Sequence, residues 1–226
     1  MRSKRRLNLP AVFTQVEVAK VLGHIKNTHA LMAKFLYGGG LRITECIRLR
    51  VWNVDFGQGR IFIRNSKGGK DRSVMLPDAI KKELQKQIED VVALHEKDIG
   101  EGFGEVYIPE ALARKYPDAS KESAWQYVFP SKKLSEYPRS GKTMRHHVLE
   151  SGLQKAVKRA LNRAKIYKKA ACHTFRHSFA THLLENGTNI RVVQKLMGHA
   201  DVKTTEIYTY MMKNDIDAVK SPLDLL

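Results

Sequence analysis

The densest chemistry in the chain lies between Cys172 and Tyr210. His173 and Arg176 stand three apart at the start of a helix, so an imidazole and a guanidinium can face one point. His199 follows Gly198, and Tyr208 and Tyr210 supply two hydroxyls a little further on. Taken singly, each has a plainer reading: a helix cap, a surface charge, a packed ring. Zinc does not fit, because the nine histidines form no His-Glu-x-x-His or Cys-x-x-Cys pair, and His173, His177 and His182 follow no ligand spacing.

The elements that must position these groups are legible in outline. The helix carrying His173 continues with Phe175, Phe179 and Leu183 inward and stops at Asn186-Gly187. A second helix covers Ile190–Met197 and ends at Gly198, and a polar segment follows Asp201. Upstream, Ser151–Ile166 reads as an amphipathic helix. Leu153, Ala156, Val157, Ala160, Leu161 and Ala164 form one face, and Lys155, Lys158, Arg159 and Lys165 point the other way. Val51–Phe56, Arg60–Arg64 and Ser73–Leu76 read as three short strands, with turns at Gly57-Gln-Gly59 and Ser66-Lys-Gly-Gly-Lys70. Glu17–Lys26, Ala30–Tyr37, a stretch from about Thr44, and Asp78–Glu96 read as helices, with Gly38-Gly39-Gly40 ending the second. The class is therefore α+β, mostly α-helical, with one small three-stranded antiparallel sheet. Gly100–Ser140 is irregular and carries four prolines, while Trp125, Tyr127 and Phe129 alternate as in a strand.

Composition narrows the partners. The 226 residues carry 40 Lys+Arg against 23 Asp+Glu, a net charge of +17. Such an excess points to a polyanion, most often nucleic acid, against the plainer alternative of a merely soluble basic protein. The charge is uneven: Arg139–Arg176 holds eleven Lys/Arg and one acid, Glu150, while Ile80–Glu122 holds seven Lys/Arg and ten Asp/Glu. A neutral-to-acidic segment beside a basic one favours a directed surface, and a cationic helix face suits backbone phosphates. No apolar run reaches 18 residues, so no membrane span is expected. Cys46 and Cys172 make no disulfide framework and fit a reducing cytoplasm.

The spacing of the motifs carries a resemblance. His173-Thr-Phe-Arg176-His-Ser-Phe-Ala-Thr-His-Leu-Leu, Leu196-Met-Gly198-His199 and Thr204-Thr-Glu-Ile-Tyr208 together are similar to the signature of tyrosine site-specific recombinases. Gly39-Gly40-Leu41-Arg42-Ile43-Thr44-Glu45 resembles that family's first arginine motif, and Lys67 matches its sheet-turn lysine. The match runs from about Leu9 to the C-terminus. Gly104–Pro117, Trp125-Gln-Tyr-Val-Phe-Pro130 and Arg145-His146-His147 resemble the additional segment of integron integrases, an insertion at about 98–147. A phage or chromosomal recombinase, or a DNA-binding fragment without strong catalysis, are the alternatives.

The resemblance implies a catalytic-domain fold and a metal-independent DNA strand transfer with no cofactor. Arg42 and Arg176 would clamp the phosphate oxygens, His173 and His199 would add donors, and His173 would also help take the nucleophile's proton. Tyr208 would attack to give a 3′-phosphotyrosyl bond, Lys67 would protonate the leaving 5′-oxygen, and Glu45 would hold the site together as an i,i+3 partner of Arg42. Tyr210 occupies a place where the family commonly has His; Tyr208 keeps the family's distance from His199, and Tyr210 does not.

Trp125, His146 and His147 would take bases protruding from folded single-stranded cassette sites, with core packing (Trp125) and phosphate contact (the histidines) as alternatives. Lys155, Lys158 and Arg159 would meet the DNA backbone. A homotetramer on DNA in the bacterial cytoplasm, at the nucleoid, is the implied assembly; the tail Met211–Leu226 would dock on a neighbouring subunit or pack in cis. Residues 1–10 read as a linker remnant and 11–226 as the catalytic domain, with the family's N-terminal core-binding domain absent from the sequence.

Overall fold

The computed structural model describes residues 10–64, 71–138, 140–212 and Leu223. The chain begins with α1 (Gln15–Gly23), closed at its N-terminus by a capping box: Thr14 Oγ1 accepts from the Glu17 N–H, and the Glu17 carboxylate accepts from the Thr14 N–H. Then come α2 (Thr28–Gly38), the short α3 (Ile43–Ile47), and a sheet of β1 (Val54–Asp55), β2 (Arg60–Ile63) and β3 (Arg72–Met75). The three strands are antiparallel in sequence order, with Val54 opposite Ile61 and Ile63 opposite Arg72. The long α4 (Lys81–Gly100) leads into α5 (Glu110–Lys115) and a two-stranded ribbon, β4 (Ser135–Glu136) with β5 (Thr143–Met144). Further along the described residues come α6 (Glu150–Arg163), α7 (Cys172–Glu185), α8 (Ile190–Met197) and α9 (Lys203–Glu206).

Helix α7 is the central element. It is lined almost all round by buried residues, including Phe175, Ser178, Phe179, Ala180 and Thr181, so it packs inside other helices instead of lying on a surface. Ser178 shows how its polar groups are satisfied: its hydroxyl donates to the Thr174 carbonyl (2.7 Å) and accepts from the Phe13 N–H (2.9 Å). The main core joins α1, α2, α3, the sheet, α4, α6 and the start of α7. Phe13, Phe35, Phe129 and Phe175 are fully buried in it, paired edge-on as Phe13–Phe175 and Phe35–Phe129. Each such side chain contributes about 1.5–3 kcal/mol by burial. A second cluster of Phe179, Ala180, Leu184, Val193, Met197 and Tyr208 fixes α8 and the Tyr208 segment to the far end of α7. A third, of Val106, Ile108, Ala119 and Tyr127, gives the irregular segment a small core of its own.

Two expectations about local structure are corrected. Val51–Asn53 is a 3-10 turn, which leaves β1 only two residues long. Asn53 accepts from the Arg50 N–H (3.1 Å) and closes that turn, while Leu49 and Val51 bond to Val128 and Gln126. Trp125–Phe129 is likewise no strand: Trp125 ends a 3-10 turn, Tyr127 bridges to Arg50, and Pro130 bridges to His147. The alternation in both stretches reflects two chain segments laid across each other, not a regular ladder. On α6 the expected faces hold, with Leu153, Ala156, Val157, Ala160 and Leu161 buried and Lys155, Lys158 and Arg159 exposed.

Candidate active site

The turn after α2 sets the first arginine. Gly40 has φ +62°, and a β-carbon there would collide with the Phe179 ring, so only glycine brings α2 this close to α7. Arg42 then begins α3, where its backbone N–H donates to Glu45 (2.7 Å) and its guanidinium to the same carboxylate (2.8 Å). The expected Arg42–Glu45 pair is present, and it is part of something larger. Arg72, at the start of β3, forks onto both Glu45 oxygens at 2.8 and 2.7 Å, and Arg176 Nη1 lies 3.9 Å from Glu45. Burial alone would push the Glu45 carboxyl up, but the Arg72 fork and the Arg42 bonds outweigh it and hold the group at about 2.

Arg176 is 4% exposed and anchored by two backbone carbonyls, Gly40 O at the end of α2 and Met197 O at the end of α8. Burial, then the neighbouring charge of Arg42, lowers it to about 9, so it remains cationic at neutral pH. Gly198 caps α8 in the left-handed conformation, and a β-carbon there would meet the Arg72 side chain at 2.9 Å. This close approach lets Arg72 donate to the Leu196 carbonyl (2.9 Å) while holding Glu45.

His199, just beyond that cap, bonds through Nδ1 to Thr205 Oγ1 (3.0 Å) on α9. Tyr208 is 4% exposed; its ring stacks on His199 at 6.2 Å and 18°, and its hydroxyl lies 3.0 Å from His177 Nδ1. Burial raises the Tyr208 phenol, and the Arg176 and Arg42 charges act against that rise. His177 and His199 are each lowered to about 4, chiefly by burial and then by nearby positive charge, so both rings are neutral at physiological pH. Tyr210, by contrast, is 70% exposed.

Arg42, Glu45, Arg176, His199 and Tyr208 thus converge from three stretches of sequence. His173 is placed differently from its expected part in taking the nucleophile's proton. It is exposed on the first turn of α7, one turn before His177 and 6.5 Å from it ring to ring; among the described residues the imidazole at the Tyr208 hydroxyl is that of His177. Lys67 lies outside the described residues, as do the Ser66–Lys70 turn and most of the tail. Two participants escaped sequence reading. Arg72 shares the inward face of β3 with buried Val74, and a cation on a buried strand face calls for a buried acid. His177 stands i+4 from His173 on α7, and that spacing was available as a signal.

The proposed DNA-contacting residues lie apart from this cluster in the bonds and ring contacts described. Trp125 packs on Trp52 (4.8 Å) with the Arg50 guanidinium 5.8 Å from its ring. His147 sets its ring edge-on to Tyr127 and donates from Nδ1 to the Val148 carbonyl, and His146 lies 5.5 Å from the Tyr137 ring. Lys155, Lys158 and Arg159 stay exposed along α6. The charges of Arg159 and Lys132, added to burial, lower the pKa of His29, which places those two cations near the same face. No helix is long and apolar enough to cross a membrane, and no group of three or more His, Cys, Asp or Glu could hold a metal, both among the described residues.

A buried tyrosine beside a guanidinium pair, on a mostly helical scaffold with one small sheet, defines a class of catalytic domain, and comparison with known proteins supplies the family. The profile of the phage integrase family matches residues 11–214, and the chain belongs to that family. An Escherichia coli protein named integrase/recombinase is 47% identical over 225 residues, covering all of this chain and 66% of that protein. The chain therefore spans about two thirds of that relative's length. In fold, the crystal structure of the XerA recombinase matches with a TM-score of 0.66 at 24% identity, over 93% of this chain and 64% of that one. The catalytic domain of bacteriophage HP1 integrase matches with a TM-score of 0.54 at 18% identity, over 92% of each chain.

Proposed function

We propose that this chain carries the catalytic centre of a site-specific DNA recombinase that cuts and rejoins strands through a 3′-phosphotyrosyl intermediate. The observation that carries the reading is the Tyr208 hydroxyl, buried beside imidazole and within the electrostatic reach of Arg176 and Arg42. A phosphodiester under attack gathers negative charge on its nonbridging oxygens, and guanidiniums fixed in advance stabilise that charge without reorganising. Arg176, held by two carbonyls and the Glu45 charge, is one half of the clamp; Arg42, its side chain 22% exposed, is the half open to an incoming phosphate. His199, fixed through Thr205, and His173 add donors to the same oxygens. Tyr208 Oη bonds to phosphorus as the P–O5′ bond breaks, and Lys67 protonates the leaving oxygen. The reverse sequence, with a 5′-hydroxyl of a second strand, rejoins the DNA. Side chains supply the positive charge, so the reaction runs without a metal or cofactor.

Within this class we assign the integron type, which integrates and excises gene cassettes. The segment 98–147, with its own small core around Val106, Ile108 and Tyr127, supports the assignment. Trp125, His146 and His147 then serve bases protruding from folded single-stranded sites, and the α6 cations serve the backbone. A homotetramer assembled on DNA in the cytoplasm completes the reading.

Trapping on nicked suicide substrates tests it. The chain is expected to form a denaturant-stable adduct that Tyr208→Phe abolishes and Tyr210→Phe retains; the reverse pattern, or no adduct at all, overturns the assignment. Offered a bulged single-strand hairpin and a fully paired duplex, it is expected to prefer the hairpin. Equal trapping on both favours a phage or chromosomal type.

A further inference from the structure

The nucleophile of a strand transfer must lose a proton, and the group that takes it has to lie within hydrogen-bond reach of the hydroxyl. At Tyr208 that group is His177, 3.0 Å away, whereas His173 is exposed one turn earlier on α7. We propose that His177 accepts the phenolic proton of Tyr208 as the hydroxyl attacks the phosphodiester, a role that rests on the strand-transfer reading above. The proton of the Tyr208 O–H passes to His177 Nδ1 in the tautomer that carries the ring hydrogen on Nε2, the form in which the hydroxyl donates to Nδ1. The Oη–P bond forms, the P–O5′ bond breaks, and the 5′-oxygen is protonated by Lys67. On rejoining, the imidazolium returns its proton to Tyr208 Oη as the phosphotyrosyl bond breaks.

Three features of the site suit this role. His177 is the residue after Arg176 on one rigid helix, so the phosphate clamp and the proton acceptor are carried together. The charged and titratable groups facing the ring are His173 and Arg176 on α7, and Tyr208 and His199 from beyond α8. Burial, then the positive charges of His173 and Arg176, keeps the imidazole neutral, with a lone pair available. An entering phosphate brings negative charge beside Arg176, which offsets those charges and favours the imidazolium only when DNA is bound.

The test is single-turnover adduct formation on a nicked substrate, with Tyr208 natural or replaced by a ring-fluorinated tyrosine whose phenol is more acidic. His177→Asn is expected to slow the reaction by about 100-fold. The fluorinated phenol, which needs less help in losing its proton, is expected to restore about ten-fold in this variant and to change the unsubstituted chain little. A substrate with sulfur in the 5′-bridging position, whose leaving group needs no acid, is expected to give no rescue. His177→Gln serves as the second variant, and thermal unfolding of both is compared with the parent chain. A His177→Asn or His177→Gln rate equal to the parent, or a loss that fluorination does not recover, overturns the proposal and leaves His177 a packing residue. A parent chain that forms no adduct overturns the strand-transfer reading itself, which separates the two failures.

Discussion

Glu45 is the residue on which the guanidinium cluster depends. Three arginines stand within 4 Å of one carboxylate, and the Arg72 and Glu45 side chains are 6% and 8% exposed. Buried ion pairs add little net stability over an apolar replacement, but breaking one strands a charge. Glu45→Gln is expected to lower the urea unfolding free energy by about 3 kcal/mol, read as a fall in midpoint with unchanged slope. The neighbouring imidazoles lose stability in the same direction on acidification, but in a higher pH window. His177 and His199 sit at about 4 in the fold, below the ordinary 6.5, so the unfolded chain binds more protons between those values. Their contribution is fully present above pH 6.5 and is lost as pH falls toward 4; Glu45, at about 2, loses its own only below the ordinary carboxylate range. From pH 7.5 to 5 the two imidazoles are expected to remove about 2 kcal/mol, allowing for their partial exposure. Urea titrations at the two pH values check this, and a His177→Asn/His199→Asn double variant flattens the difference.

At the scale of elements, the site is held by chain path as much as by side chains. Arg176 rests on the carbonyls that end α2 and α8, and each of those ends turns through a left-handed glycine. Gly40→Ala strains the turn and drives a methyl into the Phe179 ring, so a loss of about 2 kcal/mol is expected in thermal or urea unfolding. The same step displaces the Arg176 anchor, so adduct formation falls by more than the stability loss explains. Most of these elements were legible in the residues. Leu153 to Leu161 repeat at helical spacing, Ile190–Met197 is closed by Gly198, and both match the structure. What was not legible depended on partners distant in sequence. Val51–Phe56 alternates like a strand, yet its backbone bonds are claimed by Asn53 and by Gln126. Arg72 belongs to the site only because β3 brings it to Glu45 and Gly198 leaves room, and His177 only because Tyr208 folds back over α7.

Over the whole molecule, the cations behind the net charge of +17 include two contrasting sets. Arg42, Arg72 and Arg176 are tied to one carboxylate, while Lys155, Lys158 and Arg159 stand exposed on one face of α6. The second set stands exposed to the counterions of a nucleic acid. Replacing all three with Ala is expected to reduce the slope of log affinity against log salt by about 2–3 on duplex DNA, with no change in preference among sequences. An unchanged slope would mean that this face does not meet the backbone. Cations at helical spacing opposite an apolar stripe make this face legible in the residues alone. The packing between the inserted segment and the sheet has no such local pattern, and it has an optical consequence. The chain has two tryptophans, Trp52 before β1 and Trp125 in the insertion, and they lie against each other at 4.8 Å with the Arg64 guanidinium 4.3 Å from the Trp52 ring. All indole emission therefore originates at a single seam, so the fluorescence of the unlabelled protein reports whether the insertion is seated and is blind to events elsewhere.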